Sequence, residues 1–319
     1  MEWWEGDPAD GAAVSLGIRA LARAKLTLSL RVLSTRPDGY HDLEALVISV
    51  EDPHDVVSLR LRPTPGVSVA TSGRAAPGVP TGDANLAARA ALLVLEAADE
   101  PDAPGAWAGS GFDIALHKTI PAGAGLGGGS ADAAATLRAG AYLLDLRLDS
   151  GALADLGARL GSDVPFCVTG GAAWMRGRGE IVEPLPALPA ASLPLVIAIP
   201  PFGLSTPAVY AAWDRLGGPR STRACPAPPA LGGLVDALVN DLEPAAEAVE
   251  PRLRPFREAL ERVAAAPAVL AGSGSAYAVP VASCGRAGTL AQEVSAELGV
   301  VAFATRPAEA GVALGSRNA

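Results

Sequence analysis

Residues 118–132 read KTIPAGAGLGGGSAD, and this stretch does most to decide how the chain folds. Five of the seven residues from 123 to 129 are glycine. Glycine adopts positive φ at little cost, so such a loop can turn its backbone N–H groups toward a ligand. The residues that follow predict a helix over 130–144, whose free N–H groups and dipole also attract an anion. The pattern therefore predicts an anion-binding loop, and such loops most often bind phosphate.

Two other phosphate-binding patterns fit this stretch less well. A Walker A loop ends in Gly-Lys followed by Ser or Thr, and no such ending is present. A dinucleotide-binding pattern can be laid over Gly123, Gly125 and Gly128, with Asp145 as the acidic residue that follows. However, residues 112–117 alternate apolar and polar side chains, which is typical of a half-exposed strand. The first strand of a dinucleotide-binding fold is usually buried on both faces.

The composition indicates a globular chain with a sizeable core. Half of the 319 residues are apolar, which is enough for two domains or one large domain. The formal net charge of −9 disfavours a general nucleic-acid binder, because such a protein needs a basic face. No apolar run reaches the length of a membrane-spanning helix. The sequence therefore predicts neither a nucleic-acid partner nor a membrane partner.

The cysteines indicate neither a metal site nor a disulfide framework. Cys167, Cys225 and Cys284 are far apart, and no C-x-x-C pair is present. The acidic start of the chain also lacks the basic and then apolar order of a signal peptide. These features predict reduced cysteines and a cytoplasmic protein, with residues 1–16 as an N-terminal extension.

Strands and helices are predicted in both halves of the chain. The predicted strands lie around residues 26–33, 44–50, 55–61, 112–117 and 194–199, with a hairpin at 172–183. The predicted helices lie at 85–98, 130–144, 150–160, 233–247 and 250–265, with another starting at Ser205 and a loop at 218–232. The proline-bearing segment 184–194 is the best candidate boundary. We therefore expect an α+β fold with an N-terminal domain at 17–188 and a C-terminal domain at 189–319.

Several segments, taken in order, resemble the GHMP kinase superfamily. Ala24-Lys25-Leu26 is similar to the first motif of that family, and residues 121–135 are similar to its ATP-phosphate motif. Gly161-Ser-Asp163-Val resembles the segment with the catalytic aspartate, and Gly272-Ser-Gly-Ser275 resembles the third motif. Asp38-Gly-Tyr40-His41 looks like the signature of the branch that acts on a cytidylated sugar alcohol diphosphate. Residues 205–210 and 240–243 also match, so the resemblance extends over about residues 20–305.

This resemblance implies a two-domain GHMP kinase with its active site in the cleft between the domains. It implies an ATP-dependent enzyme that phosphorylates the 2-hydroxyl of the cytidylated substrate, in the non-mevalonate pathway to isoprenoid precursors. The implied cofactors are ATP and Mg²⁺, and the implied partner is this small molecule, bound by a monomer or a homodimer. Two alternatives stay open: a GHMP kinase for another small alcohol, such as homoserine, mevalonate or a sugar, and a catalytically silent nucleotide-binding homologue.

The resemblance also implies the catalytic residues. Asp163 is expected to be the general base for the substrate hydroxyl. Lys25 is expected to pair with Asp163 and to stabilise the negative charge that develops during transfer. From the residues alone, the alternatives are a helix cap for Asp163 and a solvated strand residue for Lys25.

The residues expected to bind ATP are those of the glycine loop and its two ends, namely Lys118, Pro121, Ala122, Gly123, Ala124, Gly125, Leu126, Gly127, Gly128, Gly129, Ser130 and Ala131. Lys118 is expected either near the adenine or phosphates or as a solvated residue at a strand end. Ser130 is expected to cap the helix, and it is also the candidate ligand for Mg²⁺. Asp132 is expected to stabilise the helix dipole.

The residues expected to bind the substrate are Tyr40, His41, Tyr210 and Thr27. Tyr40 and Tyr210 can stack on the two faces of a cytosine ring, and His41 can hydrogen-bond to its edge. For Tyr210, packing within its own helix is the alternative. Thr27 stands where the family usually has Asn, and Arg23 stands where it usually has Pro. The family's Phe-Gln pair after the histidine is also replaced, by residues 46–49, which read LVIS.

Overall fold

The computed structural model describes residues 16–100, 107, 109–186, 188–189, 192–218 and 238–318. The predicted extension at 1–16, apart from residue 16, lies outside these ranges, as do Cys225 and nearly all of the predicted loop at 218–232. In chain order the described elements are β1 (Gly17–Thr35), β2 (His41–Arg62), β3 (Gly66–Ser72), α1 (Leu86–Ala98), β4 (Gly111–His117), α2 (Gly128–Leu143), α3 (Ser150–Ala158), α4 (Val164–Thr169), β5 (Ala172–Gly177), β6 (Ile181–Pro184), β7 (Leu195–Ile199), α5 (Thr206–Arg215), β8 (Val239–Asn240), α6 (Glu243–Val249), α7 (Leu253–Ala264), β9 (Val269–Leu270), β10 (Tyr277–Pro280), α8 (Cys284–Leu298), β11 (Val301–Thr305) and β12 (Val312–Asn318).

The larger sheet is built around the long antiparallel pair β1 and β2. Its central order is β12-β1-β2-β4-β3. The first half of β2 pairs with β5 and the second half pairs with β4, so one strand connects two parts of the sheet. The segments predicted as separate strands at 44–50 and 55–61 are therefore one strand, β2.

Alternation along β4 places its apolar residues in the core, as the sequence predicts for a half-exposed strand. Phe112, Ile114 and Leu116 are buried. Between them, Asp113 forms ion pairs with Arg60 at 2.9 Å and Arg62 at 3.2 Å on the neighbouring strand. The polar face of β4 is thus tied to β2 by charge pairs, while its apolar face contributes to the core.

Helices α1 and α2 pack against this sheet and against each other. The buried residues of α2 are mostly alanine, which lets its backbone come close to its neighbours. A Cβ atom added to Gly140 would lie only 3.0 Å from Val94 of α1. The close packing fixes α2, which follows directly after the glycine loop, against α1.

The smaller sheet is antiparallel, in the order β11-β7-β10-β9, and α8 packs against β7 and β11. All five residues of β7 are buried, which confirms the strand predicted at 194–199. Residues 233–237 of the helix predicted at 233–247 lie outside the described ranges, and the prediction is wrong for residues 238–242, which are not helical. Residues 239–240 form β8, which pairs in parallel with β1, and the helix α6 starts only at Glu243.

The predicted domain boundary at 188/189 separates the two sheets except for two strands. β8 and β12 follow the boundary in the chain but pair with β1 in the larger sheet. The side of β1 that does not face β2 pairs with β12 over residues 17–22 and makes a short parallel contact with β8. A single boundary at 188/189 therefore assigns β8 and β12 to the C-terminal domain, although both strands belong to the larger sheet.

No helix in the described ranges combines the length and the apolar character that crossing a bilayer requires. Cys167 is buried, Cys284 is exposed, and both are free thiols.

Candidate active site

A cleft of about 950 Å³ is lined by residues of both halves of the chain. The larger sheet contributes residues of β1 and β2, and the smaller half contributes the start of α5 and residues 272–274. Nearly all of the residues predicted for the site line this cleft, namely Lys25, Thr27, Tyr40, His41, Lys118, residues 121–130, Asp163 and Tyr210. Ala131 does not line it, because its side chain is buried within the packing of α2.

The glycine loop needs glycine for both conformation and space. Gly125 has a φ of +77° and Gly127 a φ of +69°, values that other residues rarely adopt. A Cβ atom at Gly125 would overlap the carbonyl oxygen of Ala271. A Cβ atom at Gly127 would lie 2.8 Å from Cγ of Lys25. The loop is therefore pressed between the turn at 271–274 and the lysine of β1.

Helix α2 begins two residues earlier than the sequence predicts. Its N-cap is Gly127, and the N–H of Ala131 donates to the Gly127 carbonyl at 2.9 Å to close the first turn. Ser130 therefore does not cap the helix, and that prediction is wrong. The left-handed turn at Gly127 lets the helix start directly after the loop, which leaves Ser130 in the first turn, lining the cleft.

Lys118 is buried rather than solvated. Its ammonium group contacts the carboxylates of Asp55 on β2 and Asp132 on α2. The side chains of all three residues are at most 4% exposed. The alternative of a solvated lysine at the strand end is therefore wrong, and so is the simple dipole role predicted for Asp132.

The three charged groups perturb one another. Burial raises the pKa of Asp132 to about 7, against the opposing attraction of the Lys118 ammonium and with added repulsion from Asp55. Burial alone would lower the pKa of Lys118, but Asp132 and Asp55 outweigh it, and the pKa of the lysine is raised. The cluster thus has one cation between two carboxylates, which keeps the lysine charged.

Asp55 also fixes the start of the glycine loop. Its Oδ1 accepts hydrogen bonds from the backbone N–H groups of Thr119 and Ile120. Lys118 then connects the same carboxylate to Asp132 in the second turn of α2. This anchor joins β2 to both ends of the loop, and the sequence analysis missed Asp55 because the residue lies far from the loop in the chain.

The ammonium of Lys25 lies at the centre of the cleft. Nζ is 3.6 Å from Oδ2 of Asp163 and donates a hydrogen bond of 3.3 Å to Oγ1 of Thr27. The pairing of β1 with β2 shifts register between Arg23 and Lys25. Such a bulge changes the direction of a side chain, and here it precedes the lysine. The ion pair that the family resemblance implies is therefore present.

Asp163 occupies the N-cap position of α4, but its carboxylate makes no capping hydrogen bond. The side chain is 37% exposed, so it can meet both Lys25 and a ligand. The carboxylate therefore does not act as a purely structural helix cap, which was the alternative for Asp163. Its position at a turn between two short helices projects it into the cleft instead.

Hydrogen bonds join the glycine loop to the glycine-serine turn at 272–275. The N–H groups of Ser275 and Ala276 donate to the carbonyls of Gly123 and Ala124 at 3.1 and 3.0 Å. Asn240 stabilises the turn, because its Nδ2 donates hydrogen bonds to the carbonyls of Leu270 and Gly272 at 2.8 and 2.7 Å. The two halves of the cleft are thus held together by backbone contacts.

The aromatic residues at the other end of the cleft are arranged unequally. Tyr40 is 54% exposed, and the Arg178 guanidinium lies 4.9 Å from the centre of its ring. Tyr210 is more enclosed and stacks on His41, with ring centres 4.8 Å apart. Burial is the main cause that raises the pKa of the Tyr210 hydroxyl. Tyr210 therefore both packs on His41 and lines the cleft.

Two residues of this end escaped the sequence analysis. Nε2 of His41 lies 2.9 Å from Oδ1 of Asp214, which is also on α5. Asp214 follows Tyr210 by four residues, and residues at that spacing share one face of a helix. That spacing was the available signal for Asp214, whereas nothing in the sequence singles out Arg178.

The cleft fits a metal ion that phosphate groups help to hold, rather than one held by protein alone. The described residues contain no group of three or more His, Cys, Asp or Glu side chains that could enclose a metal. Mg²⁺ in phosphoryl-transfer sites usually keeps several waters and needs only one or two protein ligands besides the phosphates. Ser130 lines the cleft, and Oδ1 of Asp132 is buried without a hydrogen-bond partner.

Comparison with known proteins gives a consistent result. The family model for the GHMP kinases N terminal domain matches residues 85–171. A 4-diphosphocytidyl-2-C-methyl-D-erythritol kinase from Pelotomaculum thermopropionicum is 41% identical over 262 residues, which cover 81% of this chain and 86% of the relative. The protein of the same name from Gloeobacter violaceus is 36% identical over 304 residues, covering 92% and 96%.

Solved structures agree with the sequence relatives. A crystal structure of 4-(cytidine 5'-diphospho)-2C-methyl-D-erythritol kinase superposes with a TM-score of 0.71 at 33% identity and covers 91% of this chain and 99% of that one. Homoserine kinase from Cytophaga hutchinsonii superposes with a TM-score of 0.67 at 20% identity, covering 94% and 97%, which shows the shared fold alone. The expected α+β, two-domain GHMP kinase architecture is confirmed.

Proposed function

This chain belongs to the family of 4-diphosphocytidyl-2-C-methyl-D-erythritol kinases within the GHMP kinases, and we propose that it transfers the γ-phosphoryl group of ATP to the 2-hydroxyl of that substrate. The reaction gives ADP and the 2-phosphate, and it belongs to the non-mevalonate route to isoprenoid precursors. The observation that best supports this activity is the Lys25–Asp163 pair, which lies in the same cleft as the glycine loop.

The glycine loop and the start of α2 bind the phosphates of ATP in this proposal. The first N–H groups of a helix have no partner within the helix, and those of α2 begin in the cleft. Lys118, Asp55 and Asp132 keep the loop in place, so Lys118 contributes to ATP binding through the position of the loop. Mg²⁺, when bound, would neutralise charge on the phosphates, and Ser130 and Asp132 are the residues that would hold it.

Asp163 and Lys25 act on the acceptor hydroxyl. Asp163 accepts the proton of the 2-hydroxyl as the oxygen attacks, which is the role of a general base. Lys25 keeps the carboxylate in position and stabilises the negative charge that spreads over the transferred group. Thr27 fixes the direction of the lysine by accepting its hydrogen bond. Lys25 and Thr27 lie on β1 and Asp163 lies just before α4, so the Lys25–Asp163 pair is already formed before a substrate binds.

Tyr40, His41 and Tyr210 bind the cytidine portion. Tyr40 offers an exposed ring face, and base stacking on such a ring is worth about 1–3 kcal/mol. Tyr210 stacks on His41 and holds its ring in place. His41 forms a hydrogen bond with the polar edge of the base. The same cleft is lined by Lys25, Asp163 and these aromatic residues, so one bound substrate can contact both sets.

A coupled ADP-release assay tests the proposal. Purified protein with ATP and Mg²⁺ is offered the cytidylated substrate, homoserine, mevalonate or galactose in separate reactions. We expect turnover with the cytidylated substrate and none with the others. Lys25→Met is the matched control, because it removes the ammonium but keeps the length of the side chain, and it should abolish ADP release.

Two outcomes would contradict the proposal. A higher kcat/KM for another alcohol would identify a different GHMP kinase. No ADP release with any acceptor, together with normal ATP binding, would identify a silent homologue. A cytoplasmic location and a monomeric or homodimeric state are further proposals, which cell fractionation and light scattering test.

A further inference from the structure

Asp214 holds the histidine at the substrate end of the cleft. Its Oδ1 lies 2.9 Å from Nε2 of His41, and it also accepts a hydrogen bond from the Thr35 hydroxyl at 3.3 Å. The His41 side chain is 5% exposed, whereas the Asp214 side chain is 44% exposed. The histidine is therefore enclosed, and the aspartate approaches it from the solvent side.

This contact determines which ring nitrogen carries a proton. An ionised carboxylate only accepts hydrogen bonds, so Nε2 must carry the hydrogen that joins it to Asp214. In a neutral imidazole the other nitrogen, Nδ1, is then an acceptor. Among the described residues, Nδ1 of His41 has no hydrogen-bond partner. An acceptor is thus left for a ligand in the cleft.

Aromatic neighbours keep the ring from turning over. Tyr210 stacks on one face of His41 with an angle of 30° between the planes, and Trp213 meets it edge-on at 5.4 Å. Rotation of the ring by half a turn would break the contact with Asp214. The direction of the Nδ1 lone pair is therefore set by three residues of one helix, α5.

We propose that Asp214 is a positioning residue that makes the cleft select cytosine over uracil. This rests on the proposed function and names the part of the site that distinguishes the base. Cytosine carries an exocyclic amine that donates a hydrogen bond, whereas uracil has a carbonyl oxygen that accepts one at the same position. An acceptor at Nδ1 accepts a hydrogen bond from the cytosine amine. With uracil, the lone pair of Nδ1 would meet a lone pair of the carbonyl oxygen, so the two groups would repel each other.

The first test reads the tautomer directly and needs no substrate. The chain has 3 histidines, so an ¹⁵N-histidine spectrum of the intact protein is simple, and His41→Gln assigns the His41 signals. We expect the wild-type protein at pH 8 to show the Nε2–H tautomer for His41. An Nδ1–H tautomer, or an imidazolium, would overturn the proposal whatever the enzyme's substrate proves to be.

The second test measures base selectivity. The readout is the ratio of kcat/KM for the cytidylated substrate to that for its uridylated counterpart. Asp214→Asn replaces the carboxylate by an amide that can either donate or accept, so it no longer dictates the tautomer. We expect this ratio to fall by about tenfold or more, the size of one base-edge contact. Asp214→Glu, which keeps a carboxylate, should retain most of the preference.

Thr35→Val is the matched control, because it removes the other hydrogen bond to Asp214 and leaves His41 untouched. It should leave the ratio unchanged. An unchanged ratio in a folded Asp214→Asn protein whose tautomer has shifted would overturn the proposal. If the wild-type protein turns over neither substrate, the proposed function fails, and the spectrum still decides whether Asp214 sets the tautomer.

Discussion

The ammonium of Lys25 lies 3.6 Å from the carboxylate of Asp163, within a cleft that both halves of the chain line. The distance is longer than a direct hydrogen bond and short enough for an ion pair. A hydroxyl group entering the cleft can therefore contact both residues without separating them. This geometry underlies the first prediction.

Asp163→Asn should remove most of the turnover while ATP affinity stays near normal. The amide is nearly the same size, but it cannot accept the proton of the substrate hydroxyl, and the loss of a general base costs about 10²–10⁴-fold. Steady-state ADP release and calorimetric ATP titration measure the two effects. Asp155→Asn, at an exposed position of α3, is the control and should behave as the wild type. A kcat near that of the wild type would remove Asp163 from the mechanism.

Gly127→Val should prevent ATP binding and leave the protein folded. The new side chain would meet Lys25 and would require a β-branched residue at a φ of +69°. Calorimetric titration and circular dichroism measure the two parts. Gly129→Ala is the matched control in the first turn of α2, since it has a helical φ and its Cβ would lie 3.6 Å from Leu86, an ordinary contact. Unchanged ATP affinity in Gly127→Val would mean that the loop does not bind phosphate.

Thr27→Asn should change kcat/KM for the cytidylated substrate by about tenfold or less. Thr27 is buried and accepts a hydrogen bond from the Lys25 ammonium, and the carbonyl of an Asn side chain can accept that bond in its place. The net change is therefore expected to be no larger than one neutral hydrogen bond, about 0.5–1.5 kcal/mol. The KM for ATP should not change. Thr27→Ser keeps the hydroxyl and is the control. If the natural protein is inactive and Thr27→Asn restores activity, the silent-homologue alternative is correct.

Lys118→Met should destabilise the fold by about 3–5 kcal/mol, because it leaves two carboxylates buried without their cation. Urea unfolding at pH 7 measures the loss. Adding Asp132→Asn to this variant should recover part of it, since one uncompensated charge is then removed. A variant as stable as the wild type would indicate that Lys118 is solvated in solution.

The contribution of Asp113 to stability should depend on pH. Partial burial opposes its ionisation, but hydrogen bonds from Ser68, Arg60 and Arg62 outweigh this and hold its pKa below the ordinary value of 3.8. A carboxyl whose pKa is lower in the folded protein stabilises the fold above the unfolded pKa, and this stabilisation is lost as the pH falls through the folded pKa. The free energy of unfolding should therefore differ between wild type and Asp113→Asn by about 1 kcal/mol at pH 7, and this difference should begin to shrink near pH 3.8 and largely disappear once the pH is below the folded pKa. Asp83→Asn, at an exposed position, is the control. A difference that persists at low pH would contradict this account.

The parts of the fold that were predictable depend on local sequence. The alternation in β4, the alanine-rich helices and the glycine turns each follow from neighbouring residues, and the structure has them at nearly the predicted positions. The pairing of β8 and β12 with β1 joins segments far apart in the chain, and no local pattern encodes such pairing. Tertiary contacts decide it instead.

The same distinction applies to the candidate site. Motif order predicts Lys25, Asp163 and the glycine loop as site residues, and the structure places all of them along one cleft. Asp55 and Asp214 were missed because each acts on a partner more than 60 residues away in the chain. Ser130 was wrongly predicted as the helix cap, because Gly127 adopts a left-handed conformation and the helix starts directly after it. A run of glycines does not show which of them adopts that conformation.

The position of β12 beside β1 has a consequence for how the protein is made. Every other described element precedes β12, and yet β12 pairs with residues 17–22, at the start of the same sheet. Until β12 arrives, those residues form a sheet edge with unpaired N–H and C=O groups, which is a template for association with other chains. Pairing across such a long sequence separation is also slow. A nascent chain therefore exposes this edge until β12 has been made, and chaperone dependence or aggregation on fast expression should originate there rather than at the candidate cleft.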